Sequence, residues 1–416
     1  MRTVVVNGTL LDTESMVLVG ERHLVLEGDR IVDVSESPPA ESDLSGADHV
    51  VDARGRYVMP GFVDAHVHHV ITSVDFARMQ RASSVERALA MAKLAEGMVN
   101  RGFTSVRDAA GDVAGLIRAI DAGLCQGPRI ARAGRCLSQT GGHGDMTPAG
   151  HTNQDRMCAC HVHSSELSHV ADGPDAVRLA ARAELRAGSD FIKIMSSGGV
   201  ASPTDPFDAI QYTAEEVRAI TVETDHRHTY TTAHAYQPDA MSLAIENGVR
   251  CIEHGNLLDA PTAARMAELG VTMVPTLVTY RVMNESGAKF GMPQTNLEKN
   301  QGVFEHGQNS VGVARAAGVE LGFGTDLLGE LQPAQNQEFA IRAELEPAVD
   351  VLDSMYRVNV RLCGGEGEIG LLAPGYSADV VVSNVDPLAN LAGLADPDAA
   401  LASVVCRGSV IFDRTD

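Results

Sequence analysis

Short apolar runs, broken by turn residues, open the chain, and then the rhythm changes. Thr3–Val6, Leu24–Glu27, Arg30–Val34 and His49–Asp52 read as strands, with Gly28-Asp29 at a hairpin turn. From residue 61 onward, strand-like runs alternate with helical patterns, which predicts a parallel sheet with crossover helices. The strand candidates are Gly61–Val67, Phe103–Asp108, Arg129–Ala133, Asp190–Met195, Thr229–His234, Arg250–His254, Val271–Thr276 and Glu320–Thr325. Val85–Arg101, Pro174–Ala187 and Ala214–His226 carry helical periodicity between them. Eight such strands with interleaved helices predict an α/β fold, a (β/α)8 TIM-like barrel. Near the C-terminus the opening texture returns, with Ala378–Val382 and Leu401–Phe412 as strands. Either terminal set alone has too few strands to bury a core. Residues 1–60 and 370–416 are therefore expected to form one composite β-sandwich beside a barrel over 61–369. Residues 139–172, rich in Gly, His and Cys, form the one long loop, and such loops are usually functional.

Composition narrows the possibilities. The 416 residues suit one barrel plus a satellite domain, and a hydrophobic fraction of 44% makes a large core feasible. Trp is absent and aromatics are 4%, so that core should be aliphatic. A net charge of −22 argues against a nucleic-acid partner, because phosphate binding needs clustered Lys and Arg. No stretch approaches the roughly 18–20 apolar residues of a membrane helix, and MRTVVVNGTL does not read as a signal peptide. Seven scattered cysteines suit a reducing compartment, so a cytoplasmic location without membrane contact is expected.

Candidate chemistry sits where barrel active sites are built, at the C-terminal ends of the strands. In Asp64-Ala-His66-Val-His68, residues two apart share a strand face, so both imidazoles can reach one ion. Lys193 lies inside the apolar run Phe191-Ile-Lys-Ile-Met195. Burial there lowers its pKa and makes a neutral amine available to CO2, giving a carbamate able to bridge two cations. The plainer reading is a lysine whose stem is buried while its amine reaches the rim. His234 and His254 each end a strand, and Asp326 ends the eighth, where it could equally cap a helix. Taken singly, these are ordinary strand-end residues. Together, four His, one Lys and one Asp in chain order on one barrel suit Zn²⁺ better than Mg²⁺ or Ca²⁺. Cys158-Ala-Cys160-His161-Val-His163 is discounted as a zinc site, because its spacing lacks a second ligand pair. A lid or interface loop is expected there. Gly198-Gly199 is no phosphate loop, since no Lys-Ser/Thr follows.

These residues closely resemble the amidohydrolase superfamily in its two-metal form with a carboxylated lysine. The resemblance runs from Val58-Met-Pro60-Gly61-Phe-Val-Asp64 to Pro374-Gly-Tyr-Ser-Ala-Asp379. Ser138-Gln-Thr-Gly-Gly-His143-Gly-Asp, Lys193 through Asp205, and Gly324-Thr-Asp326-Leu-Leu-Gly-Glu330 look like the branch of Xaa-Pro dipeptidases (prolidases) and Xaa-Arg/Lys carboxypeptidases. The resemblance implies that His66, His68, N6-carboxylated Lys193 and Asp326 hold the more buried ion. His234, His254 and the same carbamate would hold the outer one. A hydroxide shared by the ions would attack the scissile carbonyl, with Asp326 as general base and then acid. His143 would face the carbonyl or its oxyanion, and Tyr236 would also contact substrate. The expected activity is hydrolysis of an amide or peptide bond in a small substrate, with Xaa-Pro dipeptides first. N-acyl amino acids, carbamates, ureas or xenobiotic amides are the alternative. A deaminase is disfavoured, because that one-metal subgroup lacks the strand-4 Lys; a non-catalytic scaffold is disfavoured by the complete ligand set. Family members commonly form homo-oligomers, which is the expectation here.

Overall fold

The structure of the protein, a computed structural model, describes residues 1–147, 164–202 and 205–415. Phe62–Val67, Phe103–Asp108 and Arg129–Arg132 pair in parallel as three neighbouring strands. Cys136–Ser138, Ile192–Met195, Thr231–Ala235, Cys251–His254 and Thr272–Val274 form a second parallel set. Two seams join the sets into a ring. At one, Asp190 N–H donates to Arg132 O at 2.9 Å. At the other, residues 320–326 run between the seventh and first staves, where Gly322 N–H donates to Met273 O and Ala65 N–H donates to Phe323 O, both at 2.8 Å. The result is a (β/α)8 barrel.

Helices Ser84–Asn100, Pro174–Arg186 and Ala214–His226 lie where the periodicity predicts them. Ser83 with Glu86, and Thr213 with Glu216, close reciprocal capping boxes that satisfy the first backbone N–H groups of two of these helices. Among the described residues, no helix is long and apolar enough to cross a membrane.

Three expected strands need correction. Arg129–Ala133 is half of a broken stave, which stops at Arg132, turns through Gly134 at φ 70° and resumes at Cys136. Glu320–Thr325 makes a single bridge, from Leu321 to Met273, rather than a ladder. Its glycines explain this, because a Cβ on Gly324 would stand 2.5 Å from Val274 and 2.9 Å from His66. The backbone is pressed against both neighbours and divides its hydrogen bonds between them. Leu401–Phe412 is a hairpin of Leu401–Cys406 and Ser409–Asp413, turned by Arg407 and Gly408 at φ 52° and 74°.

Both chain ends build the small β domain. Its strands join in one eight-stranded sheet in which Tyr57–Pro60 bridges the N-terminal strand Arg2–Asp12 to the C-terminal Val380–Ser383. The sheet curls until its far parts meet, with Ile31 N–H donating to Tyr376 O at 2.9 Å and Ala378 N–H to Asp29 O at 2.8 Å. Val5, Leu24, Leu26, Val380, Val382 and Val405 fill the space between its layers.

Although aromatics are scarce, Phe62, Phe103, Phe323 and Phe339 collect at the end of the barrel where the staves begin. Their ring centroids lie 4.9–6.3 Å apart, tilted, edge-on or offset. Leu11, Met59, Val381 and Leu401 of the β domain pack into the same cluster. That end is plugged, which leaves the opposite end for chemistry.

Candidate active site

His66, His68, His143, Lys193, His234, Tyr236, His254 and Asp326 all line one cavity at the C-terminal ends of the staves. Ile71, Phe76, Met146, Leu167, Met195 and Met283 contribute apolar wall. The Cys158–His163 cluster lies outside the described residues.

Asp326 is the hub. Its Oδ1 stands 3.0 Å from His68 Nε2 and 3.4 Å from His66 Nε2, and its Oδ2 stands 3.9 Å from His254 Nδ1. Burial alone would raise its pKa, but His66 and His68 hold it below the usual carboxylate value. His66, His68 and Asp326 offer ligand atoms within 4.8 Å of one another, a grouping fit for a metal ion. Imidazole nitrogens beside a carboxylate form a donor set that zinc accepts.

Lys193 is 1% exposed, and among the described residues its amine has no hydrogen bond and no carboxylate within 4 Å. A charged amine so placed carries a desolvation cost of several kcal/mol. Burial accordingly lowers its pKa, against the more distant pull of Glu253 and Asp326. Burial and Lys193 together lower His66 to about 4, so the ring is neutral with a lone pair to offer. His234 and His254 are driven well down, first by burial and then by neighbouring basic groups.

Two of these residues sit on strained backbone. His254 has φ 73° and Asp326 φ 50°, the left-handed region that ordinary side chains avoid at a cost of about 1–2 kcal/mol. In each case the turn aims a strand-end side chain into the cavity. His234 and His254 rings lie 4.5 Å apart, and the His143 ring stacks on His234 at 4.2 Å.

His143 is held from behind. Its Nδ1 contacts Ser202 Oγ at 2.9 Å and Asp205 Oδ2 at 3.3 Å, and its backbone N–H donates to Gln211 Oε1 at 2.8 Å. Although burial opposes it, the His143 contact and Lys299 keep Asp205 ionised. A Cβ on Gly199 would come within 2.3 Å of the His143 ring, so glycine is required there. Lys299 Nζ donates to the carbonyls of Gly199, Ser202 and Asp205 at 3.3, 3.0 and 2.8 Å, clamping this loop.

Sequence reasoning overlooked several contributors. Tyr280 OH lies 3.0 Å from both Tyr236 OH and His254 Nδ1, and Thr276 Oγ1 lies 2.8 Å from the same nitrogen. Glu253 Oε2 accepts from His66 Nδ1 at 2.6 Å. Asp64, beside the His-x-His pair, faces away from it. It accepts hydrogen bonds from Thr325 and Gln335, while burial raises its carboxyl to about 6. Only the Glu253-His254 adjacency could have hinted at the role of Glu253.

The chain is similar to known proteins over most of its length. Ochratoxinase of Aspergillus niger is 28% identical over 368 residues, covering 85% of this chain and 75% of that one. A crystal structure of a prolidase complexed with N-methylphosphonate-L-proline is 41% identical with a TM-score of 0.92, covering 99% of both chains. A Xaa-Pro dipeptidase with bound methionine in its active site is 27% identical with a TM-score of 0.86, over 99% of this chain and 100% of that one. Residues 57–411 match the Amidohydrolase family. With that match over most of its length and prolidases among its structural neighbours, the chain belongs to the amidohydrolase family, on its prolidase-like branch.

Proposed function

We propose that this amidohydrolase cleaves the amide bond of Xaa-Pro or related dipeptides, using two divalent metal ions, zinc by preference, and Lys193 carboxylated by CO2. The observation that carries the reading is Lys193, a buried amine without an anionic partner among the described residues, amid five imidazoles and Asp326. As a carbamate it would turn a desolvated cation into an anion and offer two oxygens to the cluster. His66, His68, Lys193 and Asp326 would hold the inner ion, and His234, His254 and Lys193 the outer one. Ions bound there would lower the pKa of water towards ~7 and polarise a carbonyl.

The chain's own groups do the rest. Asp326, ionised and open to the cavity, accepts the proton of the attacking water and then returns it to the leaving amine. His143, with Nδ1 donating to Ser202 and Asp205, turns its other nitrogen to the substrate carbonyl, and in the doubly protonated ring that nitrogen donates to the oxygen that becomes negative. Tyr236, braced by Tyr280, donates its hydroxyl to the bound substrate. The apolar wall takes the uncharged side of the dipeptide.

A second reading, hydrolysis of an N-acyl amino acid or xenobiotic amide, gains support from the ochratoxinase relative. Purified zinc-loaded protein offered a panel of Xaa-Pro dipeptides alongside N-acyl amino acids separates the two. Turnover confined to the second panel would overturn the first reading. Metal analysis should return roughly two ions per chain.

A further inference from the structure

We infer that Glu253, anchored by Arg107, is a positioning residue that fixes the ring of His66 so that Nε2 is the nitrogen presented to metal. The inference rests on the reading of His66 as a ligand and names the device that orients it.

Arg107, Glu253 and His66 are 0%, 0% and 1% exposed. The two oxygens of Glu253 have different partners. Oε1 takes Arg107 Nη2 at 2.5 Å, the Thr232 hydroxyl and Cys251 Sγ at 3.5 Å. Among the described residues, Oε2 takes His66 Nδ1 alone, at 2.6 Å. A carboxylate that needed only a counter-ion is already satisfied on its first oxygen. The second is given wholly to the imidazole, and a carboxylate can only accept, so His66 Nδ1 carries the proton. The lone pair is then on Nε2, the nitrogen that faces Asp326 at 3.4 Å.

Arg107 supports the same residue twice. Its Nε donates to Ala65 O at 2.5 Å, holding the backbone next to His66, while Nη2 holds Glu253 and thereby the ring. Its Nη1 donates to Tyr230 OH at 3.1 Å, and its guanidinium lies 5.1 Å from the centroid of Phe191. One planar cation thus ties the first, second, fifth and sixth staves beneath the site. A lysine could not, because the fork geometry is specific to Arg. A burial this complete is costly for each charge, and an apolar pair of similar volume would be no less stable. Orientation of a ligand explains the arrangement, since carboxylates behind metal-binding imidazoles fix tautomer and ring angle.

Two measurements test this. In the unmodified chain, selective ¹⁵N-histidine labelling of the zinc-loaded protein should show His66 protonated at Nδ1 and metal-bound at Nε2. The opposite tautomer overturns the inference without any mutation. In the folded Glu253→Gln variant, zinc affinity by chelator competition should fall about 10- to 100-fold, and the visible spectrum of the cobalt-substituted protein should change. A merely structural role would lower Tm yet leave affinity within about twofold and the spectrum unmoved, which also overturns it. Unmodified protein that hydrolyses amides while Glu253→Gln keeps its zinc affinity sinks this inference alone. Unmodified protein that binds no zinc sinks the proposed function with it.

Discussion

The two ends of the barrel are made from the same staves and obey opposite rules. The first stave begins with Phe62 and reaches His66 four residues later, about 13 Å along a strand. The second begins with Phe103 and ends with Arg107 and Asp108, and the eighth segment carries Phe323 and then Asp326. At the starting end, aromatic rings satisfy one another by contact and need no partner outside the cluster. At the finishing end titratable groups are buried together, and burial and neighbours displace the ordinary pKa of His66, Lys193, His234, His254 and Asp326. Strained backbone is likewise found at the finishing end, at His254 and Asp326. The lesson is a division of labour along each strand: one end holds the barrel closed, and the stability gained there offsets desolvated charge and unfavourable φ at the other.

Breaking the plug should have the largest effect. Phe323→Ala removes a ring packed on Phe103 and Phe339, and should cost about 3–5 kcal/mol in chemical unfolding. Activity per folded molecule should stay within a few-fold of the parent. A loss of turnover without a loss of stability would dissolve the division.

The converse change is Asp326→Asn, which keeps the shape and removes the basic oxygen. Metals should be largely retained while kcat falls at least ~10²-fold, with a far smaller change in KM. Metal content and kcat measured on one preparation decide the matter. Full occupancy with near-normal kcat would end the general-base assignment.

Between the two ends lies Glu338, which tests how the barrel tolerates a buried acid with a thin supply of partners. Burial pushes its carboxyl up to about 8 from 4.5, against the pull of Arg342. Its Oε2 accepts from Val278 N–H at 2.7 Å, and among the described residues no hydrogen-bond donor reaches Oε1. The folded state therefore holds a proton that the unfolded chain has already released. This stability is fully present below about pH 4.5 and is lost as pH rises through about 8. Between about pH 6 and pH 8 the loss should be ~2 kcal/mol. Glu338→Gln should remove that slope, leaving the variant less pH-dependent than the parent in unfolding titrations over this range. Parallel titration curves would refute the buried-acid account.

The smallest effect should come from Lys299→Met, which frees the loop behind His143. Losing three donated hydrogen bonds from a partly exposed amine should lower kcat/KM about 10-fold, some ~1.4 kcal/mol, with metal content unchanged. An unaltered kcat/KM would show that the loop holds His143 without its clamp.

Much of this was legible before any coordinates. Period-two runs and period-3.6 stretches betray strands and helices locally, because alternate or every third or fourth side chain must meet the core. Thus Phe103–Asp108 and Ala214–His226 have the limits that the pattern predicts. The misses share a cause, which is that backbone geometry leaves little trace in hydrophobicity. Gly134 breaks the third stave, Gly322 and Gly324 press the eighth segment too close for a regular ladder, and Gly408 folds one apolar run into a hairpin. At the site, His66, His68, Lys193, His234, His254 and Asp326 announce themselves because a polar residue closing an apolar strand is locally anomalous. Glu253, Arg107, Tyr280 and Lys299 do not. Arg107 and Glu253 are 146 residues apart, and Lys299 reaches back 100 residues to Gly199. The sequence by itself determined which groups could do chemistry. Only the closed barrel decided which of them support one another, because hydrogen bonds and Coulomb attraction act over a few ångströms in space and are blind to separation along the chain.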